Sequence, residues 1–129
     1  MNVFVMGKIR QIERYRLIVP TLDTDEAIIT SKQIDHINKR HPGDWDAYGQ
    51  KFVPKMLESP EYILGDNNRP HDTAILLKSF PLDATEMYFH LVLRLHTPED
   101  PPEYLNSVIT FWHIHQKDYR RMVKKRPHY

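Results

Sequence analysis

Ile28–Pro42 reads IITSKQIDHINKRHP, and its passage from apolar to charged residues sets the architecture expected of the chain. Glu26–Thr30 predicts a short strand, with Ala27, Ile28 and Ile29 as its apolar run. Thr30 and Ser31 follow as capping residues, because a hydroxyl there accepts from a free backbone N–H of the first helical turn. In the predicted helix Ile34 and Ile37 stand three apart and form an apolar face. His36 and Arg40, four apart, share a neighbouring face. Pro42 disfavours the helical conformation at His41. The helix end thus carries two imidazoles and a guanidinium.

Downstream, Asp44 is expected to cap a second helix whose buried stripe is Trp45, Tyr48, Phe52, Met56 and Leu57. Pro54 should kink that helix or start a new one, and Ser59-Pro60 should end it. Tyr62–Leu64 reads as a short strand and Gly65–Asp72 as a polar turn. Thr73–Phe80 (TAILLKSF), Glu86–Leu95 and Ser107–His115 read as an antiparallel meander, joined by a turn at Pro81–Thr85 and a proline-rich loop at Thr97–Glu103. Gln116–Lys125 is a basic helix burying Tyr119, Met122 and Val123. Upstream, Val3–Met6 and Arg14–Val19 predict one or two strands or an arm within residues 1–22. The expected fold is α+β: N-terminal helices packed on one face of a four-stranded antiparallel sheet, with a C-terminal basic helix, in one domain over 1–129.

Composition narrows the chemistry. The absence of cysteine excludes disulfides and thiolate metal sites. No apolar run approaches the ~20 residues of a membrane span, and the first residues lack a signal-peptide pattern. The expected location is cytoplasmic, in the producing cell or in a target cell into which the protein is delivered, with no membrane partner. A formal charge of +1 rules out a uniformly basic surface, yet five cations gather in Arg120–Arg126. Eight histidines favour acid–base work or metal binding.

Four constellations could do that work. Cleaving RNA without a metal requires a base for the 2′-OH, an acid for the leaving 5′-oxygen and cations on the phosphate, and His36, Arg40 and His41 are of those types. The competing reading makes His41 the end of the apolar face and Arg40 a cation placed by the helix dipole. Lys78 stands in a strongly apolar strand, where it either holds a phosphate in a cleft or marks a solvent face. Arg94 with Asn106, Ser107 and Thr110 offers phosphate-binding groups, although Ser107 and Thr110 share a face only if the strand bulges. The basic tail either contacts an RNA backbone or is a solvated helix face. His113 and His115, with His90 and His96 nearby, permit a metal site, but no carboxylate stands at a ligand spacing beside them. Neither a metal nor another cofactor is expected. Trp112 and Tyr48 are either core residues or platforms for a nucleobase.

TDEAIITSKQIDHINKRHPGD, SPEYIL, TAILLKSF, LVLRLHT and NSVITFWHIHQKDYRR together resemble the phage-type branch of the barnase–EndoU–colicin–RelE-like nucleases, over residues 23–125. The pairing of H-x3-R-H-P with N-S-x-I-T carries the likeness. The resemblance implies helices followed by a four-stranded antiparallel sheet in a small prophage-encoded protein. It also implies a toxin-like, metal-independent RNA endonuclease leaving a 2′,3′-cyclic phosphate, with an antitoxin or immunity protein as a possible partner. By the resemblance His36, Arg40, His41 and Lys78 match the family's motif positions and Asn106, Ser107 and Thr110 its last-strand motif. The expected catalytic residues are His36, Arg40, His41, Lys78 and Thr110, and the expected substrate-binding ones Asn106 and Ser107 with Arg94, which the strand's alternation adds. The rival expectation is a non-catalytic phage accessory module that binds RNA or a protein.

Overall fold

A computed structural model describes residues 2–129. The chain runs β1 (Val3–Lys8), α1 (Ile12–Tyr15), β2 (Glu26–Thr30), α2 (Ser31–Arg40), a π-helical turn (Trp45–Gly49), α3 (Gln50–Glu58), β3 (Tyr62–Gly65), β4 (Thr73–Leu82), β5 (Thr85–Arg94), β6 (Asn106–Ile114) and α4 (Gln116–Lys125). The fold is α+β, but its sheet has six strands in the order β1-β2-β6-β5-β4-β3.

This overturns the expected four-stranded antiparallel sheet behind N-terminal helices. A strand comes first, and β2 pairs in parallel with β6 through Ala27–Asn106 and Ile28–Ser107, so the sheet is mixed. β6 does not end the sheet; it is inserted between β5 and β2, whose residues lie about eighty positions upstream. Arg14–Val19 is not a strand either. It begins in the single helical turn α1, which places Tyr15, Ile18 and Val19 in the core. Residue 1 of the expected N-terminal arm lies outside the described residues.

Helices cover both faces of the sheet rather than one. On the first face a large core joins Ile37 of α2 and Phe52, Val53, Met56 and Leu57 of α3 to Ile29, Leu76, Phe89, Leu91 and Phe111 of the strands. On the second face Tyr119 of α4 packs with Leu64, Ile75 and Leu77, with Met122 and Val123 partly buried beside it. Alternation along β4 and β5 supplies both layers, because successive side chains point to opposite faces.

Local chemistry sets the element ends. Thr30 caps α2, its Oγ1 accepting from the Gln33 N–H at 3.2 Å. Pro54 lies inside α3 and cannot bond the carbonyl of Gln50, where the π-helical turn gives way to α-helix. Gly49 is required there, since a Cβ would sit 2.3 Å from the Trp45 ring. Among the described residues no helix is long and apolar enough to cross a membrane.

Candidate functional site

The end of α2 meets the free edge of β6. β2 pairs with β6 only through Asn106 and Ser107, and α2 packs alongside the rest of that strand. An edge strand exposes unpaired backbone groups. Asp44 occupies one of them: its Oδ2 accepts from the His113 backbone N–H at 3.0 Å. Both carboxylate oxygens also lie 2.9 Å from His113 Nδ1. Asp44 therefore does not cap the following helix with its side chain, as its position suggested. It fixes the imidazole of His113, which stays half exposed with Nε2 as its free nitrogen.

His41 follows α2 at φ −134°, outside helical geometry, with its N–H still bonded to the Ile37 carbonyl at 2.7 Å. Its ring stacks on Trp112 at 4.3 Å between centroids and 6° from parallel. Burial holds the His41 imidazole below the usual histidine range. Asp44 opposes that shift, while the charges of Arg40, His113 and His36 add to it. These groups thus sit within range of one another's fields. His36 and Arg40 are exposed on α2.

Beyond Trp112 lies His90 of β5, its ring 4.2 Å away. The register places His90, Val92 and Arg94 on the face that carries Trp112, Thr110 and Ser107. Val92 pairs with Thr110 and Leu93 with Val108, so Ile109 is a bulge residue. That bulge is the condition under which Ser107 and Thr110 share a face, and they do. His90 is only 4 % exposed, and its Nδ1 has no hydrogen-bond partner. Burial, with the charges of Arg126 and His41, pushes its pKa down to about 3, so the ring is neutral.

The remaining expected residues go elsewhere. Lys78 lies on the face of α3, paired across the sheet with Phe89, and its Nζ donates to the Ser59 carbonyl after that helix. Arg94 is already engaged, its fork donating to Asp100 at 2.8 and 3.1 Å. That pairing holds the Asp100 carboxyl down at about 2. Asn106 is fully buried; its amide donates to the Thr24 and Glu26 carbonyls and its Oδ1 accepts from the His96 N–H. It fastens β6 to the segment entering β2. Ser107 Oγ donates to the Leu105 carbonyl at 3.3 Å. Tyr48 packs on Phe52 and Phe89 as a core residue.

His36, Arg40 and His41 therefore gather with Asp44 and His113, with Thr110 on the adjoining sheet face, while Lys78, Arg94 and Asn106 do not join them. The pairing of His113 with Asp44 was missed in the sequence, where His113 read as half of a metal pair and Asp44 as a cap. Nothing local links two residues sixty-nine positions apart. Among the described residues no three histidine or carboxylate side chains are arranged to hold a metal ion. No family model matches the sequence, no curated protein matches it, and no solved structure matches the fold.

Proposed function

We propose that the protein is a metal-independent RNA endonuclease acting where α2 meets β6. The observation that supports this reading most is the imidazole cluster itself: His41, stacked on Trp112 and made less basic by burial, beside the exposed His36 and Arg40 and the Asp44-bound His113. A neutral imidazole is the form that accepts a proton. His41 takes the proton of a 2′-OH as that oxygen bonds to phosphorus. The bond from phosphorus to the 5′-oxygen breaks, and His36 or His113, as general acid, returns a proton to the leaving oxygen. A 2′,3′-cyclic phosphate and a 5′-OH result. Arg40 supplies the exposed cation for the phosphate as charge accumulates. The resemblance to the phage-type nucleases supports RNA as substrate and an antitoxin as partner, though the fold it implied is not the one observed.

A second reading, a non-catalytic RNA- or protein-binding module, draws on the position of Lys78. A phosphate site assembled from all the expected cations is absent among the described residues, because that amine faces α3. One experiment separates the two. A labelled oligoribonucleotide incubated with the protein in EDTA should yield fragments ending in a 2′,3′-cyclic phosphate. His41→Ala should slow the reaction by about 10²-fold or more, since a positioned acid or base contributes ~10²–10⁴. Binding without cleavage would favour the module.

A further inference from the structure

Beside Trp112, between α4 and the sheet, lies a cavity of about 370 Å³. Its volume falls at the small end of the ~300–1,000 Å³ typical of ligand pockets. Two kinds of group line it. His90, Trp112 and Met122 form a neutral, largely apolar part, joined by the amide of Asn67. Lys125 and Arg126 also line it, with no carboxylate partner within ion-pair distance among the described residues, one Arg126 N–H donating to the Gly65 carbonyl at 3.4 Å; Arg121 and Asp118 line it as an ion pair at 2.9 Å. His90, 4 % exposed, lines the cavity as well, and its Nδ1 is buried without a hydrogen-bond partner, which is uncommon in a folded protein.

We propose that this cavity is a nucleotide subsite, taking one ribonucleotide unit with its nucleoside against His90 and Asn67 and its phosphate toward Lys125 and Arg126. A bare phosphate would leave the imidazole and the apolar wall unused. A neutral aromatic ligand would leave the two cations unused. A nucleotide has both parts, and a neutral imidazole can donate to or accept from a base edge or a ribose hydroxyl. The proposal rests on the RNA reading above and deepens it, because the His41–Trp112 stack joins this cavity to the cluster at the end of α2. A free mononucleotide and one unit of an RNA strand share this chemistry.

The test is NMR titration of the protein with the four ribonucleoside 5′-monophosphates and, separately, with inorganic phosphate. At least one mononucleotide should shift the Trp112 indole and α4 resonances and bind at least about threefold more tightly than phosphate. Lys125→Ala, a surface change, should weaken binding about three- to fivefold, the value of one exposed charge contact. His90→Gln should weaken it further if it remains folded. No binding by any of the four, equal affinity for phosphate, or an unchanged Lys125→Ala would overturn the proposal. If a saturating mononucleotide competes with an oligoribonucleotide, the site serves an RNA strand; if it does not, the site serves free nucleotide. His41→Ala, which removes the proposed base, separates the two claims. Nucleotide binding that survives alongside abolished cleavage supports both, cleavage without binding overturns the subsite alone, and binding without any wild-type cleavage overturns the nuclease alone.

Discussion

His41 lies flat on Trp112, 4.3 Å between ring centroids, and joins the last residue of a helix junction to the middle of a strand some seventy positions later. Two forces act on that imidazole. The Asp44 carboxylate favours its charged form, but the ring's burial opposes that form and is the larger influence. The expected outcome is a His41 titration midpoint below ~6.5, the ordinary value for the side chain. Histidine ring resonances followed from pH 4 to 8 would read it directly, and a midpoint at or above the ordinary value would remove the case for His41 as the base. If cleavage is observed, its rate should rise with pH through the same midpoint.

His41 and His90 also make stability depend on pH. Both have folded pKa values below the unfolded ~6.5. Between those values the unfolded chain holds protons that the native state refuses, so stability is full above pH ~6.5 and is lost as pH falls. For His90 the loss continues toward pH 3, and with a shift this large it is on the order of several kcal/mol. Urea midpoints should therefore decline from pH 7 to 5, above the range where carboxylates titrate. His90→Phe should flatten that decline. A wild-type midpoint constant over the same interval would contradict the buried, neutral imidazole.

Lys78 offers a contrast. Its Nζ satisfies the Ser59 carbonyl and lies over the Phe80 ring, on the face opposite His90 and Trp112. Lys78→Ala should cost about 1 kcal/mol or less in thermal or urea unfolding. Cleavage or RNA binding should stay within about twofold of wild type, since single surface contacts of this kind are small. A hundredfold loss of activity in a folded Lys78→Ala protein would place the amine in the site after all.

Asn106 should behave as a structural residue with a large effect. Its side chain bonds three backbone groups from two separate segments while fully buried. Asn106→Ala leaves those groups without partners at the junction of β2 and β6, and the expected cost is about 2–4 kcal/mol. Chemical denaturation would measure it. Loss of RNA binding or cleavage without loss of stability would instead make Asn106 a substrate contact.

Much of the local structure was legible because it depends on residues close in sequence. Ile34 and Ile37 marked the buried face of α2, Thr30 its cap, and alternation along Glu86–Leu95 the two faces of β5. In TAILLKSF the same signal failed, because β4 is apolar on both faces and nothing showed which side Lys78 would take. The candidate site was half legible. His36, Arg40 and His41 come from one turn of helix and so from one stretch of chain. Asp44, His113, Trp112 and His90 reach them only because β6 lies between β5 and the β2–α2 unit.

By itself, then, the chain's periodicity determined most of the helices and strands, Arg14–Val19 excepted, and which side of most of them is buried. Only the tertiary structure decided that β6 pairs with both β2 and β5, that helices cover both faces, and that a carboxylate of the α2 loop holds a β6 imidazole. The reason is physical. An apolar stripe specifies that a surface must be covered, whereas its partner is chosen by the packing of all the elements together, through contacts that leave no local mark on either segment.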